Sequence, residues 1–193
     1  MSAERFTVAE TERRIRDSVI GASHSIPLSV NKGNVGLWLE RAVGIPASGA
    51  CLDCVDGELK AFPLKTNRAG GLVPKETVAV TMCDVSLLCA QPFEESRVYK
   101  KLENTLFVPY LRTGDDVTFY APVLFTKEHA LMSALKADYE VLQTNARAGV
   151  MTGTLGSYLQ TRTKGAGHGS TSRAFYLRPK FVTEAVLPVS FSS

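Results

Sequence analysis

Glu58 and Lys60 stand two apart in the stretch CLDCVDGELKAFPLK, and this is the first place in the 193-residue chain where chemistry can be read. Side chains alternate along an extended strand, so the carboxylate and the ammonium share one face while Leu59 points into the opposite layer. Upstream, Asp56-Gly57 is a strong turn signal between two short apolar runs, and it predicts a hairpin of residues 50–55 and 58–63. Such a hairpin would return Asp53 to the side of Glu58. Two carboxylates around one small space suit Mg²⁺, which takes few protein ligands and keeps waters for a substrate phosphate. A lysine beside that ion can orient or deprotonate an attacking water, so the group holds the parts for phosphodiester hydrolysis. Asp56 competes with Asp53, because Asp56, Glu58 and Lys60 also alternate on one face if the strand begins early, although the Asp-Gly context favours a turn. The plain alternative is an exposed hairpin carrying a Glu58–Lys60 salt bridge.

The elements around this motif are those of an α/β protein. Apolar Val8, Ile15 and Ile20 among charges predict a helix over residues 7–20. A second helix, residues 35–43, has too many apolar positions for a surface helix and is expected to lie inward, with Glu40 on it. Thr77 to Met82 is a β-branched run of buried-strand type, residues 93–104 read as helix, and 106–110 and 117–124 read as strands. A long helix over 128–144, strands at 157–163 and 173–177 and a helix near 179–186 complete a mixed sheet flanked by helices. The longest irregular stretches fall near residues 20–34, 64–76 and 164–173, and loops of that length are often functional.

Length and composition fit a single domain over 1–193, with a core of ordinary size. Apolar runs are too short for a membrane span, and the charged, amphipathic start lacks the form of a secretory signal, which leads to an expected cytoplasmic location. Cys51, Cys54, Cys83 and Cys89 are then expected to be reduced thiols in the core; the second pair is spaced too widely for a usual zinc knuckle. The net charge of +3 decides nothing, but its distribution does. Between Glu140 and Glu184 there is no acidic residue, while Arg147, Arg162, Lys164, Arg173, Arg178 and Lys180 fall in that stretch. Such a segment can face phosphates without local repulsion, or can be a solvated basic face. His24 and His129 have no comparable context and read as surface residues.

Four blocks of sequence together resemble one family. Lys32-Gly33-Asn34-Val35-Gly36-Leu37-Trp38-Leu39-Glu40, followed by the Asp53-to-Lys60 motif, is similar in order and spacing to the MutH-related branch of the PD-(D/E)XK nucleases. Glu95-Ser96-Arg97-Val98-Tyr99-Lys100-Lys101-Leu102 with Leu106-Phe107-Val108-Pro109 resembles that group's helix and strand bearing a lysine near the active site, and Lys101 matches the lysine best. Leu159-Gln160-Thr161-Arg162-Thr163-Lys164 and Phe175-Tyr176-Leu177 resemble the paired segments that read bases. The short gap between Asp53 and Glu58, and the loop from Lys164 through His168 to Arg173, look more like the restriction endonucleases MvaI and BcnI than like MutH.

The resemblance implies a PD-(D/E)XK restriction-endonuclease-like fold, with a catalytic part over about 30–125 and a base-reading part over about 145–182. It implies a type II restriction endonuclease that uses Mg²⁺ to cut double-stranded DNA at a short, C/G-rich, nearly palindromic site, nicking one strand at a time as a monomer or weak dimer. A cognate DNA methyltransferase would belong to the same system. By carry-over Asp53 and Glu58 hold the metal, Lys60, Glu40 and Lys101 complete the centre, and Lys32, Arg162, Lys164, His168, Arg173 and Tyr176 meet DNA. Arg and Lys can donate to guanine O6 and N7 in the major groove. The chain is compact for such an enzyme, so a reduced recognition subdomain or a partner chain is implied. Two other readings stand beside it: a MutH-like strand-nicking repair enzyme, and a DNA-binding module without catalysis.

Overall fold

The computed structural model describes residues 5–29, 33–46, 49–164 and 172–191. In chain order the elements are helix α1 (Val8–Ser18), strand β1 (Ser23–Ser25), helix α2 (Asn34–Ala42), strands β2 (Glu58–Thr66), β3 (Leu72–Pro74) and β4 (Val78–Cys83), and helices α3 (Val85–Ala90) and α4 (Arg97–Leu102). Strands β5 (Asn104–Thr113), β6 (Asp116–Phe119) and β7 (Val123–Thr126), helix α5 (Leu131–Arg147), strands β8 (Leu159–Thr163) and β9 (Arg173–Leu177), and helices α6 (Pro179–Ala185) and α7 (Leu187–Ser190) follow.

Six strands form a mixed sheet in the order β1-β6-β5-β2-β3, with β7 also paired to β5. Its centre is the parallel pair β2–β5, in which Glu58 stands opposite Thr105 and Lys60 opposite Phe107. The Leu106–Tyr110 run of β5 is buried on both faces, as an unbroken apolar strand should be. On one face Leu59, Leu106 and Val108 pack with Val8 and Ile15 of α1 and Val35 and Leu39 of α2. On the other, Phe62, Leu64 and Phe107 pack with Leu102 of α4, Leu135 and Leu142 of α5, and Phe181 of α6. A second, antiparallel sheet, β4-β9-β8, joins that face through Val78, Phe175 and Leu177. The architecture is the expected α/β one: a central mixed sheet flanked by helices.

Several local expectations give way. Residues 50–57 form no strand, so Asp56-Gly57 does not turn a hairpin; β2 finds its partners in β5 and β3 instead. The 64–76 stretch is not irregular but closes β2 on β3, with Asn67 Oδ1 accepting from the Ala69 and Gly71 amides at 3.0 and 2.9 Å. The helix expected over 93–104 is interrupted at Ser96, whose hydroxyl caps α4 at the Tyr99 amide, and Asn104 already begins β5. The strand expected over 117–124 is two, separated by Tyr120-Ala121-Pro122, since proline cannot donate to a ladder. Helix α2 is amphipathic rather than fully inward: Val35 and Leu39 are buried and Leu37 is exposed.

Neither described histidine is simply a surface group. The His24 ring packs 4.6 Å from that of Trp38 and its Nε2 meets the Val19 carbonyl, while His129 Nδ1 accepts from the Leu131 amide at the start of α5. All four cysteines are free, but only Cys54 and Cys83 are buried; Cys89 is intermediate and Cys51 exposed. No helix among the described residues is long and apolar enough to cross a membrane.

Candidate active site

The N-terminal end of β2 collects side chains from both faces of the large sheet. Alternation puts Glu58 and Lys60 on the face shared with Phe62 and Leu64, as the strand period requires. Because β2 and β5 run parallel from Glu58 and Thr105, the end of α4 that leads into β5 lies beside the same point. Lys101 on that last turn donates to Glu58 Oε1 at 2.6 Å, and Lys60 donates to the same oxygen at 2.5 Å. The buried Thr105 hydroxyl donates to the Lys101 carbonyl and ties the helix end to the strand.

Asp53 arrives by a loop rather than by a hairpin. The Cys54 amide donates to the Gly57 carbonyl at 2.9 Å, and Asp53 Oδ2 accepts from the Leu59 amide at 3.2 Å. Asp56 turns elsewhere: its Oδ1 accepts the Val8 amide at 2.7 Å, so the rival carboxylate is engaged by the start of α1. Glu40 reaches the group from α2 and is half-buried. Burial, and next the charge of Asp53, push the Glu40 carboxyl up from its ordinary value; burial, and next Glu58, push Asp53 up likewise.

These features fit a cation. Glu58 is 1% exposed, and while its Oε1 accepts two ammonium donors, its Oε2 is buried with no partner. An unsatisfied carboxylate oxygen is costly unless a ligand completes it. The group also has one carboxylate more than it has lysines, which agrees with the raised Asp53 and Glu40. Among the described residues no three His, Cys, Asp or Glu side chains come close enough to hold an ion by themselves. A pair of carboxylates is nevertheless the usual protein share of a Mg²⁺ site, the rest being water and substrate.

The family model for the DNA mismatch repair enzyme MutH matches residues 50–144. Over that stretch the chain is similar to the MutH-related branch of the PD-(D/E)XK nucleases. The matched segment holds Asp53, Glu58, Lys60 and Lys101. A solved complex of the restriction endonuclease MvaI with its cognate DNA substrate superposes at a TM-score of 0.45 and 12% identity, covering 90% of this chain and 94% of that one. At those values the likeness is loose and carries no argument about function. No curated protein matches the chain.

Beyond the MutH-related segment, the second sheet carries most of the residues expected to meet DNA. Arg162 pairs with Ala174 and Gln160 with Tyr176, and paired residues share a face. Phe175 and Leu177 take the inner face, so Arg162, exposed, and Tyr176, half-buried, lie on the outer one. Arg173 has the inner parity; its Nη2 donates to the Thr161 carbonyl and hydroxyl at 3.3 Å, and its Nε is buried without a partner. Lys164 is exposed at the end of β8. Lys32 and His168 lie outside the described residues.

The acid-free stretch is less uniform than its sequence suggests. Arg147 donates to the Cys89 carbonyl at 2.9 Å, Arg178 to the Gly153 and Leu155 carbonyls at 3.0 and 3.1 Å, and Lys180 lies over the Tyr158 ring. Those three hold the protein together. Sequence reasoning misses the part played by the first described residues, Arg5 to Thr11, which contact the Asp53 loop. A signal is present: Thr7-x-x-Glu10 is a capping box and marks where α1 begins.

Proposed function

We propose that this protein is a Mg²⁺-dependent endonuclease that cuts double-stranded DNA at a short specific sequence, a type II restriction endonuclease. The observation that carries the reading is Glu58, with one oxygen bridged by two lysines and the other buried and unpartnered beside Asp53. Asp53 and Glu58 would hold the ion, which when bound neutralises the scissile phosphate and makes a water more nucleophilic. Lys60 places a positive charge where the phosphate must sit and orients the attacking water, while Lys101 holds the Glu58 carboxylate in place through its 2.6 Å contact with Oε1. Glu40 adds a third carboxylate from α2, interacting electrostatically with Asp53, Lys60 and Glu58. Arg162 and Tyr176 on the outer face of β8 and β9 supply donor and stacking groups for bases, with Lys164, Arg173, Lys32 and His168 as further contacts. The implied working unit is a monomer or weak dimer, in a cell whose own DNA is protected by a cognate methyltransferase.

A second reading has its own support. The family model that matches is that of a repair enzyme, which favours an endonuclease that nicks one strand. The two separate on a gel. Purified protein is incubated with unmethylated supercoiled plasmid in Mg²⁺ and in EDTA: discrete linear fragments only in Mg²⁺ support the restriction reading, and nicked circles alone support the repair-type one. No product in either condition would leave a DNA-binding module.

A further inference from the structure

Asp53 is the carboxylate of the centre that lies in neither a helix nor a strand, and its loop is fixed from outside. The N-terminal turn of α1 and the residues before it grip that loop at four points. Arg5 Nη1 donates to the Leu52 carbonyl at 2.9 Å, and the Val55 amide donates to the Phe6 carbonyl at 2.9 Å. The Val8 amide donates to Asp56 Oδ1 at 2.7 Å, and the Thr11 hydroxyl meets Cys54 Sγ at 3.4 Å, both residues being fully buried. From the other side Asn104 Nδ2, at the first residue of β5, donates to the Asp56 carbonyl at 2.8 Å. Gly57 has no space for a side chain, since a Cβ there would overlap the Asn104 carbonyl and lie 2.6 Å from Val8 Cγ2. Asp56 is therefore held at both ends: its side chain by α1, its carbonyl by β5.

We propose that Asp56 is a positioning residue, through which α1 and β5 set the Asp53 carboxylate where it can share a metal ion with Glu58. The proposal rests on the reading that these two carboxylates hold the cation. Mg²⁺ demands near-ideal distances, and a displacement of about 1 Å in a reacting group costs about a hundredfold in rate. A loop without ladder hydrogen bonds reaches that precision only if another element fixes it. Asp56 is chemically suited to that role, because a carboxylate at a helix N-terminus is favoured by the dipole as well as by the hydrogen bond.

The test is calorimetric titration of the full chain with Mn²⁺ alone, alongside Mg²⁺-dependent cleavage at saturating DNA. Asp56→Ala is expected to weaken Mn²⁺ binding about tenfold and to slow cleavage by a similar factor, with DNA affinity in EDTA unchanged. Asp56→Asn keeps an oxygen acceptor for the Val8 amide and is expected to recover most of both losses. Asn104→Ala, which frees only the Asp56 carbonyl, is expected to show a smaller loss of the same kind, and it carries the test if Asp56→Ala does not fold. Wild-type Mn²⁺ affinity in a folded Asp56→Ala or Asn104→Ala protein, or a loss that Asp56→Asn does not recover, overturns the proposal. If the wild-type chain itself binds no Mn²⁺, the metal reading fails and takes the proposal with it, a result distinct from failure of the variants alone.

Discussion

Lys101 and Glu58 form a 2.6 Å ion pair across 43 residues of chain, joining the end of a helix on one face of the large sheet to the first residue of its central strand. Lys60 meets the same carboxylate oxygen, so the pairing is lopsided: two donors on Oε1 and none on Oε2. A buried ion pair is weak evidence of stability, because desolvation offsets much of the Coulomb gain. An oxygen left bare beside it is better explained by a ligand. Lys101→Met should therefore leave the fold standing, since Lys60 still pairs Glu58. It should lower the cleavage rate by about 10²-fold with little change in DNA affinity. Single-turnover cleavage and a binding isotherm in EDTA check the two halves separately.

The raised Asp53 and Glu40 carboxyls give opposite pH trends with and without metal. A carboxyl whose folded-state pKa lies above its unfolded value binds its proton more tightly when folded. It thus subtracts stability above the folded pKa and returns it as pH falls through that value. In EDTA, the melting temperature should rise as pH is lowered from neutral toward the upper carboxylate range, and Asp53→Asn should raise it at neutral pH. In Mg²⁺ the order reverses, because the ion needs the ionised form: the half-saturating Mg²⁺ concentration should climb over the same window. Melting curves at stepped pH in the two buffers decide this, and parallel trends would contradict it.

Asp138, on α5, is 8% exposed and accepts the backbone amides of Ser157, Tyr158 and Leu159 at 2.8, 2.6 and 2.9 Å. It pins the entry to β8, the strand that carries Arg162. Asp138→Ala would leave three amides unpaired and is expected to cost about 3–5 kcal/mol, read as a shift of the urea midpoint.

Arg162 and Arg178 have the same charge and lie in the same acid-free stretch, yet they should behave differently. Arg162 is exposed on the outer face, whereas Arg178 holds the Gly153 and Leu155 carbonyls. Arg162→Ala should weaken specific binding by about 1–3 kcal/mol if it meets a base, or reduce the salt slope by about 1 if it meets a phosphate. Arg178→Ala should leave the slope unchanged and lower stability by about 1–2 kcal/mol. Anisotropy titrations over a salt series, with melting curves, separate the two.

Strand alternation is enough to bring Glu58 and Lys60 together, and the family resemblance is enough to single out Lys101. Neither can say how Asp53 arrives. The Asp-Gly signal is local, and what overrides it is tertiary: the Val8 amide takes the Asp56 side chain and Asn104 takes its carbonyl, so the turn serves a helix start instead of a hairpin. The same limit applies to the basic stretch. Sequence shows six cations without acids among them, but only the fold shows that Arg147, Arg178 and Lys180 are already engaged. His24 escapes a local reading for the same reason, since the ring it packs against belongs to the following helix.

The central claim, that the Asp53–Glu58–Lys60 group cuts DNA with a divalent metal, is tested most directly by wild type, Glu58→Gln and Lys60→Ala side by side. All three are incubated with one duplex substrate in Mg²⁺, with binding measured in EDTA. The expected result is cleavage by the wild type and a loss of about 10³-fold or more in both variants at near wild-type DNA affinity. Cleavage by either variant at close to the wild-type rate would contradict the account and place the reaction elsewhere in the chain.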